Sequence, residues 1–307
     1  MKSALQPSIC CPGCGSKADA IGPIPATDVF AGRLLENPLE GGWLYRCRTC
    51  LLGFRWPRLS KNKLDKLYEQ GGEHAWTSSG QSRHDWIIGR DWIAQALVSG
   101  ESILDVGCFD GGFLERLVGL YKCYGIEIHP QARLRAESKG ISMIGADFSE
   151  VNGQFDCVTA FDVIEHVENP ALFLSQCLDA VRPGGHVLIS TGNLDSFTFH
   201  RMGGRYWYCT IAEHISFVSP RWFYRNLSDM GCKVVQIKTF AHDKASVIRR
   251  VKELIANTLY WVHPSLLGSL RKIGFGQKNL VRHPILAEHP PGWGTARDHF
   301  IVMLKKL

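Results

Sequence analysis

Three groups of residues in this 307-residue chain combine types and spacings suited to chemistry. The first is built of thiols, Cys11-Pro12-Gly13-Cys14 and Cys47-Arg48-Thr49-Cys50. A C-x-x-C turn points two thiolates at one ion, and following backbone amides can donate to the sulfurs. Two such turns complete the tetrahedral sulfur site that zinc accepts. The second group is Asp105-Val106-Gly107-Cys108-Phe109-Asp110-Gly111-Gly112, followed by Glu127 and Asp147. Its glycines let a ligand approach the backbone closely, and a carboxylate can accept from both hydroxyls of a ribose. The third is Glu213-His214, in a stretch of aromatics and hydroxyls from Tyr206 to Pro220. A histidine of near-neutral pKa beside a carboxylate suits a general base acting on a hydroxyl or an acidic C–H.

Alternating strands and helices must position the second and third groups. Strands are expected at Ser102–Val106, Cys123–Glu127, Ile141–Gly145, Phe155–Ala160, His186–Thr191, Lys233–Phe240 and His299–Leu304. Helices are expected at Gly112–Leu120, Pro130–Lys139 and Asn169–Val181, and before the first strand at Asn62–Gln70 and Ser82–Val98. This alternation predicts an open, mostly parallel sheet covered on both faces. Ligands of such sheets sit at the carboxyl ends of the strands, where Asp105 and Glu127 fall. A lone acid is more often solvated or capping, but acids at successive strand ends favour a ligand such as NAD or S-adenosylmethionine.

The thiols need a separate scaffold. Eleven cysteines are an odd number, and Cys108, Cys123, Cys157, Cys177, Cys209 and Cys232 stand singly in apolar contexts, so a disulfide framework explains them poorly. The 32 residues between the two C-x-x-C pairs hold turn formers and the extended stretch Trp43-Leu44-Tyr45-Arg46, as in a zinc ribbon that metal holds together. A redox pair would need a βαβ context, and Cys10 is a spare.

With 45% apolar residues, 21% charged and a mean hydropathy of −0.07, disorder and fibres are excluded. No apolar run reaches membrane-spanning length and the start lacks an apolar leader, so a cytoplasmic location is expected. The net charge of +6 is uneven: 7 basic and 4 acidic residues in 1–60, 17 and 21 in 61–240, 11 and 4 in 241–307. That distribution argues against a nucleic-acid partner and keeps open a phosphate or membrane-surface contact in the last third.

Residues 80–307 resemble a class I S-adenosylmethionine-dependent methyltransferase. The glycine turn is similar to that family's D-x-G-x-G-x-G signature, with Phe109 in place of the middle glycine and flexibility expected from Asp110-Gly111-Gly112. Gly145-Ala146-Asp147-Phe148 resembles the adenine-side segment, Phe155 to Val167 the fourth-strand segment beside the methionine moiety, and Val181-Arg182-Pro183-Gly184-Gly185 the turn before the fifth strand. The resemblance implies an α/β fold, a seven-stranded Rossmann-like methyltransferase sheet, with S-adenosyl-L-methionine held by Asp105, Gly107, Cys108, Asp110, Gly111, Glu127, Ile128, Asp147, Phe148, Phe161 and Asp162. Before it stands a small N-terminal zinc ribbon whose expected ligands are Cys11, Cys14, Cys47 and Cys50. The expected units are 1–60, the ribbon; 61–100, linker and helices; and 101–307, the methyltransferase domain with a helical insertion at 243–297. A dehydrogenase is the structural rival.

Glu213-His214 and the two-knuckle start are similar to zinc-bearing sugar C-methyltransferases, which implies His214 as base and Glu213 as its partner. His166 reads as scaffold. Those relatives carry a further C-terminal domain, so methyl transfer to a hydroxyl of a sugar, glycan precursor or similar small metabolite is expected first, and C-methylation second. An RNA methyltransferase is the third reading, although Ala160-Phe161-Asp162-Val163 lacks the Asn/Asp-Pro-Pro-aromatic signature. The fourth is a non-catalytic S-adenosylmethionine-binding module. In the insertion, Val247, Ile248, Val251, Leu254, Ile255 and Leu259 form one apolar helical face with Lys244, Arg249, Arg250 and Lys252 around it, and Leu266 to Ile273 a second short helix ending at Gly274. A lid or homodimer contact is expected there. The alternative is a basic amphipathic surface meeting anionic lipid at the inner membrane face, or a diphosphate-linked substrate.

Overall fold

The computed structural model describes residues 9–60, 63, 64, 66, 67, 83–241, 246–273 and 284–307. Five strands come first: β1 (Ala18–Ile24), β2 (Thr27–Phe30), β3 (Arg33–Leu39), β4 (Gly42–Cys47) and β5 (Gly53–Trp56). Then follow α1 (His84–Ala96), β6 (Ser102–Val106), β7 (Lys122–Ile126), α2 (Pro130–Ser138), β8 (Ser142–Gly145), β9 (Phe155–Phe161), α3 (Pro170–Asp179) and β10 (Val181–Gly192). The remainder is α4 (Phe197–Met202), β11 (Ser216–Phe217), α5 (Pro220–Asn226), β12 (Cys232–Phe240), α6 (Val247–Val262), α7 (Pro264–Lys272) and β13 (His299–Lys306).

Seven strands form one sheet in the order β12-β13-β10-β9-β6-β7-β8. The pairs from β10 to β8 are parallel, while β13 runs antiparallel to both β10 and β12. Along β10, Val187 and Ile189 enter the core beneath Phe173 and Leu174 of α3, and Leu188 enters the core beneath Ile88, Trp92 and Ile93 of α1. Side chains of successive strand residues point to opposite faces, so both faces need helices, and the apolar strands supply them with partners. Caps set the helix starts: the Asn169 side chain accepts from Ala171 N and Leu172 N, with Pro170 leading α3, and Ser219 does the same for α5 through Trp222 N.

Two expectations change. The helix over Gly112–Leu120 is a short 3-10 turn at Leu114–Arg116. Phe113, Leu114 and Leu117 are all buried, and Gly119, at φ +87°, turns the chain back in time to enter β7, which leaves no room for a full helix. The fifth strand begins at Val181 rather than His186, its register shifting across Pro183-Gly184-Gly185. Of the helix expected at 62–70, Lys63, Leu64, Lys66 and Leu67 are helical and the rest lies outside the described residues, as do Ser82, Lys244 and Gly274.

The N-terminal strands form a second sheet, β1-β4-β5-β11, beside the β2-β3 hairpin. Its last member comes from far along the chain, with Ser216 opposite Phe54 and Phe217 opposite Gly53. Cys11, Tyr45, Cys47, Cys50, Leu52 and Phe54 share one apolar cluster with Trp222 and Phe223 of α5 and with the strands of the large sheet. Among the described residues, no helix is long and apolar enough to cross a membrane.

Candidate active site

The carboxyl end of β6 opens the site. Gly107 has φ +67°, and a Cβ there would meet Val163 Cγ2 at 2.8 Å. Phe109 itself takes a left-handed conformation, φ +48°, so the position where a glycine is usual keeps a glycine-like backbone in a bulky residue. The Arg135 guanidinium lies 5.5 Å from the Phe109 ring centroid. Asp110 pairs with Lys139 Nζ at 3.1 Å, and its Oδ1 accepts from Gly112 N at 3.2 Å. Gly111 is a turn residue at φ +75° packed against Ile141 and Ala136, and it lies outside the lining of the cavities described below.

Glu127, at the end of β7, is buried, its Oε2 accepting from Phe109 N and its Oε1 from His129 N, each at 2.9 Å. Each carboxylate oxygen has a second lone pair, so these bonds orient the group and leave it able to accept hydroxyls. Asp105 is buried and accepts from Thr159 Oγ1 at 2.6 Å. Burial pushes its pKa up to about 7, the Thr159 bond opposing and the Glu127 charge assisting. Asp147 caps the 3-10 turn Phe148–Glu150 by accepting from Ser149 N at 2.7 Å, which lowers its pKa. The Phe148 ring lies 5.9 Å from that of Phe173.

A cavity of about 850 Å³ is lined by Gly107, Glu127, Ile128, Asp147 and Phe148. A second, of about 590 Å³, is lined by Asp105, Cys108, Phe109, Asp110, Phe161, Asp162, Glu213 and His214. Gly107, Glu127, Ile128 and Val163 border both, so the two meet at the strand ends.

Elements from distant parts of the chain build the inner wall. Arg83 bonds Asp85 at 2.6 Å and Asp162 at 2.5 Å, and Asp162 holds φ +54°. Glu165 is buried, Oε1 accepting from the Tyr208 hydroxyl at 2.5 Å and Oε2 from Thr191 Oγ1 at 2.9 Å. Burial pushes it up to about 7, and the Asp162 charge adds to this. His214 Nδ1 lies 3.0 Å from the Tyr208 carbonyl, and the His166 ring sits edge-on at 4.9 Å. Burial, then the neighbouring His166, holds the His214 pKa well below 6.5. Glu213 Oε1 accepts from Ala31 N in the β2-β3 turn, so the group expected to orient His214 ties its loop to the N-terminal hairpin, and a backbone carbonyl orients the ring.

Arg55 of β5 fixes the same loop, donating to the carbonyls of Cys209 at 2.6 Å, Ile211 at 3.0 Å and His214 at 3.4 Å. Sequence reasoning does not single out Arg83 or Arg55, whose partners Asp162 and the 209–214 carbonyls lie far along the chain. Glu165 reads with His166 only as scaffold at the end of the fourth-strand segment, and Tyr208 is visible only as one aromatic in a dense stretch.

The four expected thiols converge. Cys11 Sγ is 3.6 Å from Cys50 Sγ and Cys14 Sγ 3.4 Å from Cys47 Sγ, and all four lie within 4.8 Å of one another. Tetrahedral zinc with its usual bond length separates sulfurs by about 3.8 Å. Thr49 N and Cys50 N donate to Cys47 Sγ at 3.3 and 3.4 Å, as a thiolate knuckle requires. The donor set therefore fits zinc. Glu165, His166 and His214 also approach within 4.8 Å of one another, Glu165 accepting from the hydroxyls of Tyr208 and Thr191.

Parallel strands flanked by one antiparallel strand, with acids at the ends of β6 and β7, define the Rossmann-like methyltransferase class. The chain belongs to the methyltransferase-domain family, whose model matches residues 81–237. It is 33% identical over 129 residues to a ubiquinone biosynthesis O-methyltransferase of Paraburkholderia phytofirmans, covering 38% of this chain and 56% of that one. With the protein of the same name from Burkholderia pseudomallei it shares 28% over 169 residues, covering 49% and 73%. The chain thus spans little more than half the length of the first of these relatives. Among solved structures, an S-adenosylmethionine-dependent methyltransferase from Archaeoglobus fulgidus is similar at 18% identity and TM-score 0.47, over 80% of this chain and all of that one.

Proposed function

We propose that the protein transfers a methyl group from S-adenosyl-L-methionine to a hydroxyl of a small acceptor, with His214 as general base. The observation that carries the reading is the bond between His214 Nδ1 and the Tyr208 carbonyl, inside the cavity that Asp105 and Glu127 also line. A carbonyl only accepts, so Nδ1 keeps its proton and Nε2 keeps the lone pair a base needs. The donor supplies a methyl carbon already activated by a sulfonium, and the chain's task is orientation and exclusion of water. In this assignment Glu127 receives the ribose hydroxyls, Asp147 and Phe148 the adenine, and Asp105 and Asp162 the cationic amino acid end. Gly107, Cys108, Asp110 and Ile128 shape the turn and Phe161 the wall; Gly111 supports it from behind. Glu213 acts on position, through Ala31. The four clustered cysteines hold a structural zinc, and the chain divides near residue 60 into ribbon and methyltransferase domain.

The acceptor is a sugar, glycan precursor or similar metabolite, a reading supported by the likeness to zinc-bearing sugar methyltransferases and by Trp86, Trp207 and Tyr208 along the cavity, which offer flat faces to a ring. The same aromatics suit a phenol, and the relatives' names make a phenolic hydroxyl the second reading.

The test supplies S-adenosylmethionine with nucleotide-sugar pools in one arm and catechol-type phenols in another, and reads methylated products by mass spectrometry. His214→Ala should lower turnover at least ~100-fold while cofactor affinity, read by calorimetry, is retained. Near-normal turnover removes His214 as the base, and methylated phenols alone would transfer the acceptor to the second reading.

A further inference from the structure

Helix α6 is turned inside out. Its apolar residues, at helical spacing, are those the structure exposes: Val247, Ile248, Val251, Leu254, Ile255 and Leu259 range from 48% to 74% accessible. The face toward the protein is polar. Asn257 Nδ2 donates to the Gly292 carbonyl at 3.4 Å, the Tyr260 hydroxyl to the Glu288 carbonyl at 3.0 Å, and Glu253 Oε2 accepts from Thr295 Oγ1 at 2.6 Å. Asn257 and Tyr260 are the buried residues of this helix. Water therefore faces the side that the hydrophobic effect would bury, and the stripe continues into α7 with Leu266, 54% accessible.

Charge selects the occupant. Of the five Lys and Arg side chains between residues 246 and 273, Lys272 pairs with Glu288 at 2.6 Å, Arg271 donates to the carbonyls of Ala287 and His289, and Arg249 lies beside Glu253, which leaves Arg250 and Lys252 as the basic charge beside the stripe. Glu253 is committed to Arg249 at 2.9 Å and to Thr295. Arg250 and Lys252 rim the stripe on opposite sides. In a two-fold pair of this helix those basic rims would meet their own copies, and among the described residues of the helix the acid, Glu253, is already engaged. An anionic bilayer answers both features: the stripe would enter the acyl boundary, the long basic stems would reach back to headgroup phosphates, and Trp261, 47% exposed with the Arg201 guanidinium 4.0 Å from its ring, adds an amphipathic aromatic to the same helix.

We infer that the outward face of α6 is a docking surface for an anionic lipid bilayer, holding the helix in the plane of the interface. The inference stands independently of the acceptor reading. In flotation, the full chain should rise with vesicles of phosphatidylcholine containing about one-third phosphatidylglycerol, and at least ~10-fold less with phosphatidylcholine alone. High salt should weaken the binding, since part of it is screened. Leu254→Glu and Ile255→Glu should lower it by at least ~10-fold, and Arg250→Gln with Lys252→Gln should weaken it only on anionic vesicles. Ile255→Ser is the milder variant should a glutamate disturb the helix, whose retention is read by circular dichroism. Absence of flotation, equal flotation of wild type and the Ile255 variants, or a doubled mass in light scattering that Ile255→Glu halves would each overturn the proposal, the last in favour of a second copy.

Discussion

His214, the proposed base, is held neutral by its surroundings. Burial and the nearby His166 both disfavour the cation, so Nε2 stays unprotonated as pH falls through the ordinary histidine range. The kcat profile should accordingly show no His214 inflection at or above 6.5; an inflection there that persists in both Asp105→Asn and Glu165→Gln, whose own carboxyls are pushed up to about 7, would show that another group supplies the base. Asp105 titrates in the opposite sense. Its pKa rises from 3.8 to about 7 on folding, so the stability it contributes is full below 3.8 and lost as pH rises through about 7. Asp105→Asn should remove that dependence. In thermal melts without ligand it should flatten the fall in Tm between about pH 5 and about pH 8, with a gain of up to about 4 kcal/mol at the alkaline end. An unchanged slope would mean that the carboxylate is not desolvated. These acids were legible in the sequence because a glycine turn and strand ends mark their places locally. The partner of Glu213 was not, since Ala31 reaches it only once the hairpin has folded against the loop.

At the scale of elements, the proposed base, His214, rides on a loop that the N-terminal sheet ties down. Strand β11 directly follows His214 and completes that sheet against β5, from which Arg55 reaches three carbonyls of the loop. Arg55 is buried, so Arg55→Ala would take the donor from the Cys209 and His214 carbonyls, at about 1 to 3 kcal/mol each, while the Ile211 carbonyl keeps His214 N. The variant should melt earlier and lose kcat at least ~10-fold with S-adenosylmethionine affinity retained, because the donor pocket lies on strands that Arg55 does not touch. Arg55→Lys should rescue stability partly and kcat hardly, a single ammonium being unable to reproduce the planar fork. Equal losses of kcat and cofactor affinity would make Arg55 a general stabiliser. The seven large-sheet strands were readable because their apolar runs are local. Strand β11 was not, because two residues carry no periodicity and only the edge of β5 makes them a strand. The Gly112–Leu120 helix was misread for the converse reason: its apolar spacing is helical, but the short return to β7 overrides it.

For the whole molecule, the N-terminal cysteine-bearing segment and the large sheet share one core, and this decides how the chain unfolds. Cys11, Cys47 and Cys50 lie in the same apolar cluster as Trp222, Phe223, Val302 and Leu304, so the residues that would ligate zinc also roof α5 and the central strands. A ribbon tethered by a linker would melt alone when its metal is stripped. Here, loss of the zinc-bound conformation would uncover the α5 side of the main core and remove the edge that holds β11, so the cost spreads to the whole chain. Metal analysis should find one zinc per chain, and Cys14→Ser with Cys47→Ser should abolish it. Calorimetry should show one transition both before and after chelation, displaced downward by several degrees, as a loss of a few kcal/mol produces in a chain of this size. Two separate transitions, or a low-temperature ribbon melt with the main peak unmoved, would mean that the two cores only touch. Arg250 and Lys252 take no part in this coupling, because they are exposed on α6 beside a face turned away from the protein.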